Sequence, residues 1–320
     1  MSVNSGEILF IKSVKDGIPN RDPLNESDAR RLFGEEDGRI SLSDVSIKRD
    51  VRDYVLAKYP AGGEQKRYYI FCRQERTEDG KLLGRQKLAE SILNEVNKSK
   101  SKSKRTDLLA ASFDMRIFGA VYSVDKESFN QTGPVQFGWA HSLHPVETKY
   151  VQGTVVMPSR DIKENDKGEQ EGNQQGTIWT TYTLPFAIFA MPAVINAHIA
   201  KDTGMDDKDV EVLLEALWKG TQHRQARGRG IQQPLLLLHV EYKDPFTRIG
   251  YLEDYVTIKP ERDVWLGVNP PTSLSEVKLD VTKLEQILLT NKKKIANIRY
   301  WLHPGLKLIG NLSGEACDFD

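Results

Sequence analysis

Phe113-Asp-Met-Arg-Ile-Phe-Gly-Ala-Val-Tyr122 and Gly133-Pro-Val-Gln-Phe-Gly-Trp-Ala-His-Ser142 are the two stretches whose reading decides the fold. Each reads as a β-strand, in which successive side chains alternate between the faces of a sheet. In the first, Phe113, Met115, Ile117 and Val121 share one face, and Asp114, Arg116, Phe118 and Tyr122 share the other. In the second, Val135, Phe137 and Trp139 read as core, while Gln136 and Ser142 point the other way. The pair predicts one apolar face and one face offering arginine, aromatic rings, an amide and a hydroxyl. Such groups stack bases and hold phosphates. The same set also furnishes an ordinary half-exposed sheet.

Working outward, residues 7–14 predict an opening strand, followed by a polar turn over 15–25. A helix is predicted from Asp44 to about Tyr59, a strand over 67–72 and a helix over 81–96. Residues 97–106 are basic and of low complexity, as in a solvated loop. A β-rich piece over 150–157 leads into a polar stretch over 161–172, which reads as a projecting hairpin or a loop. Residues 181–191 form another strand-like apolar run. The helix over 207–219 has Val210, Leu213, Leu214, Leu217 and Trp218 on one side, and Gly220 is read as its stop. A strand over 234–242, strands over 251–258 and 297–302 and a short helix near 282–290 complete the chain. With insertions removed, the order predicts an α+β fold of the β-α-β-β-α-β kind, the ferredoxin-like or RNA-recognition-motif layout. The run over 181–191 has no assigned place in it.

Composition narrows the possible functions. The chain has 320 residues, 39% hydrophobic and 28% charged, as expected of a soluble globular protein. No apolar run approaches the ~20 residues that span a bilayer, and the N-terminal residues lack the features of a signal peptide. Free thiols at Cys72 and Cys317 and a cytoplasmic location are expected. Lys+Arg and Asp+Glu both number 45, so any polyanion site must arise from local segregation of charge. Basic clusters lie at 98–105, 224–229 and 292–299, and acid is enriched at 161–171 and 315–320.

Two basic constellations are candidates for phosphate contact. Lys48 and Arg52 lie one turn apart on the helix, beside Arg49, and fit two phosphates or a solvated face laced by Asp50 and Asp53. Gln222-His-Arg-Gln-Ala-Arg-Gly-Arg-Gly230 sets Arg224, Arg227 and Arg229 among glycines, which let a backbone approach a phosphate closely. His141 and His144 face opposite ways in an extended chain, so no metal site is expected there. Asp16, Asp22 and Asp114 are the candidate nuclease carboxylates, but no convergent acidic cluster stands at recognisable spacing. Walker, dinucleotide and serine-elbow signatures are absent from the sequence.

Ser46-Ile-Lys-Arg-Asp-Val-Arg52, Asp114-Met-Arg-Ile-Phe-Gly-Ala120, Gly133-Pro-Val-Gln-Phe-Gly-Trp-Ala-His-Ser-Leu-His-Pro-Val146 and Glu215-Ala-Leu-Trp218 occur in this order. They resemble the backbone subunit of type I CRISPR interference (Cascade) complexes, CRISPR-associated protein family seven of the RAMP superfamily, and most closely its type I-B branch. Gly138-Trp139 replaces the arginine usual in that family after Gln-Phe. The resemblance implies an RNA-recognition-like palm over 1–320, with a helical finger insertion over 30–110 and a β-hairpin thumb over 147–180. It implies a non-catalytic subunit without metal or cofactor. Its partners would be crRNA, target DNA, copies of itself in a head-to-tail filament and other Cascade subunits. RNA contacts are then expected from Asn20, Arg21, Lys48, Arg49, Arg52, Arg116, Phe118, Gln136, Ser142, His223, Arg224, Arg227 and Arg229, with Met157 as an apolar wedge in the thumb. The alternative reading is a metal-dependent endoribonuclease of the same superfamily.

Overall fold

The computed structural model describes residues 3–25, 28–98, 103–124, 127–155, 163–164, 170–171 and 178–319. The chain opens with β1 (Gly6–Lys15), β2 (Ser41–Leu42) and α1 (Asp44–Lys58). Then come α2 (Arg85–Glu95), α3 (Lys104–Ala111), α4 (Phe113–Phe118), β3 (Gly119–Val124) and β4 (Glu127–Thr132). Next are β5 (Val135–Phe137), β6 (Ala140–Ser142), β7 (Lys149–Thr154), β8 (Lys163–Glu164), β9 (Gln170–Glu171) and β10 (Ile178–Thr183). β11 (Phe186–Ile195), α5 (Ala197–Thr203), α6 (Asp207–His223) and β12 (Ile231–Tyr242) follow. The last part holds β13 (Thr257–Lys259), α7 (Arg262–Trp265), β14 (Lys278–Asp280), α8 (Thr282–Thr290), β15 (Ile295–Leu302), β16 (Lys307–Ile309) and β17 (Glu315–Ala316).

The mixed α+β architecture is organised by one sheet of order β17-β15-β12-β1-β11-β6-β2, with β5 also paired to β11. β1 is central and antiparallel to both neighbours, so that Phe10 lies opposite Met191 and Leu237. Its near-continuous apolar run, Ile8-Leu-Phe-Ile11, fits a strand buried on both faces. On one face Ile8 and Phe10 meet Ile47, Val51 and Val55 of α1 and Val210, Leu213, Leu214 and Leu217 of α6. On the other, Leu9 and Ile11 meet Leu236 and Leu238, with Leu284 and Leu288 of α8 covering them. A third core gathers Leu88, Ile92, Leu108, Met115 and Tyr122. No helix among the described residues is long and apolar enough to cross a membrane.

Several sequence expectations are corrected. Residues 113–118 form a helix, and the strand begins only at Gly119. Every side chain over 113–118 is buried, so the segment has no polar face from which a period can be read. Residues 67–72 carry one isolated bridge, Tyr69 to Ser112, instead of a strand. The amides of Phe71 and Cys72 donate to Asp114 at 2.8 and 3.0 Å. The stretch over 133–142 splits into β5 and β6 at Gly138-Trp139. The run left without a place, 181–191, is divided between the end of β10 and β11, which lies directly beside β1. Gly220 does not end α6, which continues to His223.

Candidate nucleic-acid interface

The two stretches expected to form one polar sheet face do not share a sheet: residues 113–118 are helical, β3 pairs with β4 in a separate ladder, and β5 and β6 pair with β11. The basic residues gather instead where β1 ends and β12 begins. The loop after β1 and the loop before β12 cross there in backbone contact. A Cβ on Gly17 would lie 2.1 Å from the Gly230 nitrogen, and Gly230 itself has φ of +76°. Only glycines permit this crossing. The amide of Ile18 donates to the Gly228 carbonyl at 2.9 Å, which fixes the two loops against each other.

This crossing and the N-terminus of α1 enclose a cleft of about 660 Å³. Six arginines line it (Arg21, Arg30, Arg49, Arg224, Arg227 and Arg229), together with Asn20, Ser43, Asp44, Ser46 and Trp139. Asp44 is the one carboxylate in that lining. In an otherwise neutral chain, this is the local charge segregation that a polyanion requires.

Each arginine is held differently. Arg229 is 5% exposed and donates to Pro19 O at 3.0 Å and to Asp50 at 2.6 Å. Burial pushes its guanidinium down from the ordinary arginine value and Asp50 pulls it back up, the net shift being downward. Arg224 donates to Ser46 O at 3.1 Å and to Asp50 at 2.9 Å. Arg21 reaches Tyr182 O at 3.2 Å and Gly228 O at 3.1 Å, which ties the base of β10 to the cleft. Arg49 pairs with Asp53 one turn on. Arg30 lies 5.9 Å from the Trp139 ring, and Arg227 lies 5.2 Å from the Trp179 ring. Neither Arg30 nor Arg227 makes an ion pair among the described residues.

Of the residues predicted to contact RNA, the cleft brings together Asn20, Arg21, Arg49, Arg224, Arg227 and Arg229. Asn20 accepts from the Ser43 hydroxyl at 2.8 Å. His223 is exposed beside Asp53 and Arg224, just outside the cleft. Lys48 pairs with Asp44 at 2.7 Å and Arg52 with Asp114 at 2.8 Å. Both cations lie over the Phe118 ring, at 5.6 and 5.4 Å. Phe118 is 7% exposed and packs near Phe137, so its face is not offered to a base. Gln136 is exposed on β5, its amide donating to Gly133 O at 2.9 Å. Met157 lies outside the described residues.

Two expectations are corrected by burial. Arg116 is fully buried and spends its guanidinium on Asp209 and on backbone carbonyls, leaving nothing for a phosphate. Ser142 is 1% exposed; its hydroxyl accepts from Ile40 N and donates to His144 O. His144 is also buried, stacked 3.4 Å from Trp265, with burial pushing its imidazole down to about 4. Among the described residues no three His, Cys, Asp or Glu side chains gather as for a metal ion.

Arg30 and Trp139 are among the cleft residues that sequence reasoning missed, as are Ser43, Asp44 and Ser46. Trp139 was counted as core by alternation, and the break of the strand at Gly138 is what turns it toward the cleft. A larger groove of about 860 Å³ lies elsewhere, between Pro145, Phe186 and Trp265–Thr272. It sets Arg31 and Lys149 against Glu35, Glu147 and Glu276, so it lacks the excess of positive charge.

The family described as CRISPR-associated protein Cas7 matches residues 4–282. The chain belongs to the Cas7 family. A relative from Haloferax volcanii, CRISPR-associated protein Cas7, is 25% identical over 311 residues, covering 90% of this chain and 83% of that one. Two solved structures share the fold. A chain of a CRISPR RNA-guided surveillance complex has a TM-score of 0.56 at 16% identity, over 99% of this chain and 95% of that one. A chain of such a complex in a pre-nicking state has a TM-score of 0.55 at 14% identity, over 96% of each. The Cas7 match spans β1 to β14, and with them every residue that lines the cleft.

Proposed function

We propose that this chain is a non-catalytic backbone subunit of a CRISPR RNA-guided surveillance complex and that it holds guide RNA along the six-arginine cleft. The observation that carries the reading is the convergence of those arginines on one crossing of two loops, beside an indole, in a member of the Cas7 family. Arginine matches phosphate geometry with two parallel donors, and an aromatic ring stacks any base. Neither device reads sequence. That suits a subunit which grips the guide and leaves recognition of target DNA to base pairing.

The strand order β12-β1-β11-β6, with α1 and α6 packed on one face, supports an RNA-recognition-like palm. Within it we assign residues 30–110 to the fingers and 147–180 to the thumb, whose base is the β7–β10 ladder. Copies stack head to tail along the guide, and other subunits close the ends of the assembly. The motif order over 46–146 supports placement in the type I-B branch.

The test is purification of the native protein from its own cells, followed by extraction and sizing of the nucleic acid that travels with it. A discrete RNA of uniform length is expected. Protein free of such RNA refutes the proposal. Arg227→Ala and Arg30→Ala are each expected to weaken RNA retention, and each to lower the slope of log affinity against log salt by about 0.7 for single-stranded RNA.

A further inference from the structure

We propose that Asp50 is the positioning residue of the cleft and that one RNA phosphate completes the charge balance of the cluster it organises. The proposal rests on the reading of the cleft as an RNA site. Asp50 lies wholly buried on α1. One of its oxygens accepts from Arg224 at 2.9 Å and from Arg229 at 2.6 Å, and the other accepts from Lys12 at 3.2 Å. Three elements therefore meet on one carboxylate: β1, the end of α6 and the loop before β12.

The cluster is short of negative charge. Asp53 approaches only Arg224, at 3.5 Å, and it also serves Arg49. Among the described residues, Lys12 has Asp50 alone as its carboxylate partner. The Nε of Arg229 is buried without a hydrogen-bond partner. Net charge kept out of water is costly unless an opposite charge satisfies it. Arg224 and Arg229 both line the cleft, so an anion there lies close to the excess positive charge of the cluster.

Lys12 is the member of this cluster that can release its proton. Burial pushes its ammonium down to about 8, Asp50 resists, and Arg229 and Arg224 push the same way as burial. Phe189 and Pro234, its cross-strand neighbours on β11 and β12, bring no charge. A phosphate in the cleft favours the charged ammonium. By linkage, RNA binding then takes up a proton wherever free Lys12 has begun to lose one.

The experiment measures the affinity of the full chain for a fluorescein-labelled oligouridylate from about pH 6.5 to 9.5 at constant ionic strength. Wild type is expected to bind evenly up to about pH 8 and then to lose up to about tenfold per pH unit. Lys12→Met is expected to bind without that alkaline fall. Asp50→Asn is expected to bind at least tenfold more weakly at neutral pH and to begin its fall at lower pH, with Asp50→Glu restoring part of both. A merely structural Asp50 would lower the melting temperature without moving the pH profile. A flat wild-type profile, or an unchanged fall in Lys12→Met, overturns the proposal, and these two measurements decide even where Asp50→Asn does not fold. Wild type that binds at no pH refutes the cleft as an RNA site, whereas binding with a flat profile refutes only the role given to Asp50 and Lys12.

Discussion

Arg116 donates through Nε and Nη2 to the two oxygens of Asp209, at 2.8 and 2.7 Å, and through Nη1 to Leu109 O and Ala110 O. The pair joins α4 to the capping box that starts α6. Burial alone would raise the Asp209 carboxyl, but Arg116 and Arg67 outweigh it and hold the carboxyl below its ordinary range. Arg116→Ala leaves the buried Asp209 carboxylate with Arg67 as its remaining ion-pair partner, so it should cost about 3 kcal/mol of stability by urea unfolding, the low end for breaking a buried pair. A loss below ~1 kcal/mol would mean that the pair is dispensable. Two imidazoles set a second expectation at this scale. Burial pushes His239 down to about 3 and His144 down to about 4. Both are neutral in the folded chain at pH values where the unfolded chain binds protons. Their contribution to stability is complete above about pH 6.5 and is lost as pH falls toward 4 and 3, at up to about 1.4 kcal/mol per pH unit for each. Unfolding midpoints measured between about pH 7 and 5 check this, and a stability independent of pH there would contradict it.

At the scale of elements, the cleft depends on how closely α1 and α6 pack. A Cβ on Gly220 would lie 2.7 Å from the Asp50 carbonyl and 3.1 Å from the Tyr54 Cβ. In an exposed helix, Gly→Ala stabilises by about 1 kcal/mol. Here the added methyl meets the backbone of the facing helix, so Gly220→Ala should destabilise the chain and displace Asp50 with it. A rise in the melting temperature of that variant would show that the helices can move apart freely. This glycine also shows what was legible in the sequence. β1, α1, α6 and β12 were read close to their true extents because α1 and α6 carry a helical apolar period, while β1 and β12 are short continuous apolar runs. Gly220 was read as a stop because a glycine kept for a close helix crossing looks the same in sequence as one kept for a cap. Residues 113–118 failed for a related reason, since complete burial leaves no periodicity to distinguish strand from helix. Five of the six cleft arginines were among the expected contacts, and three of them, Arg224, Arg227 and Arg229, were legible as arginines among glycines. Arg30 and Trp139 were not, because long-range pairing places them: β5 and β6 with β11 for Trp139, and the bridge of Arg30 to Ser41 of β2, which pairs with β6.

At the scale of the whole molecule, a central sheet covered on both faces and a net charge of zero leave the ends of the strands and the projecting β7–β10 ladder to meet partners. The ladder pairs Lys149 with Thr183 through to Thr154 with Ile178, and it touches the cleft through Tyr182 at its base and Trp179 near its far end. Replacing residues 156–177 by a two-residue turn keeps every one of those pairs. Closing a shorter loop costs less entropy, by about 0.6 kcal/mol for each halving of length. Going from 22 residues to two is about three and a half halvings, so stability should rise by about 2 kcal/mol, since the described residues of the three hydrophobic cores all lie outside the excised stretch. Affinity of a single copy for a short oligoribonucleotide should persist, because the arginines of the cleft remain. What should fail is the loading of several copies onto one long RNA, measured by light scattering at saturating protein, since a thumb is expected to reach the adjacent copy. Retained multi-copy loading would remove 147–180 from that role, and a chain that no longer folds would show that the excised stretch belongs to the core.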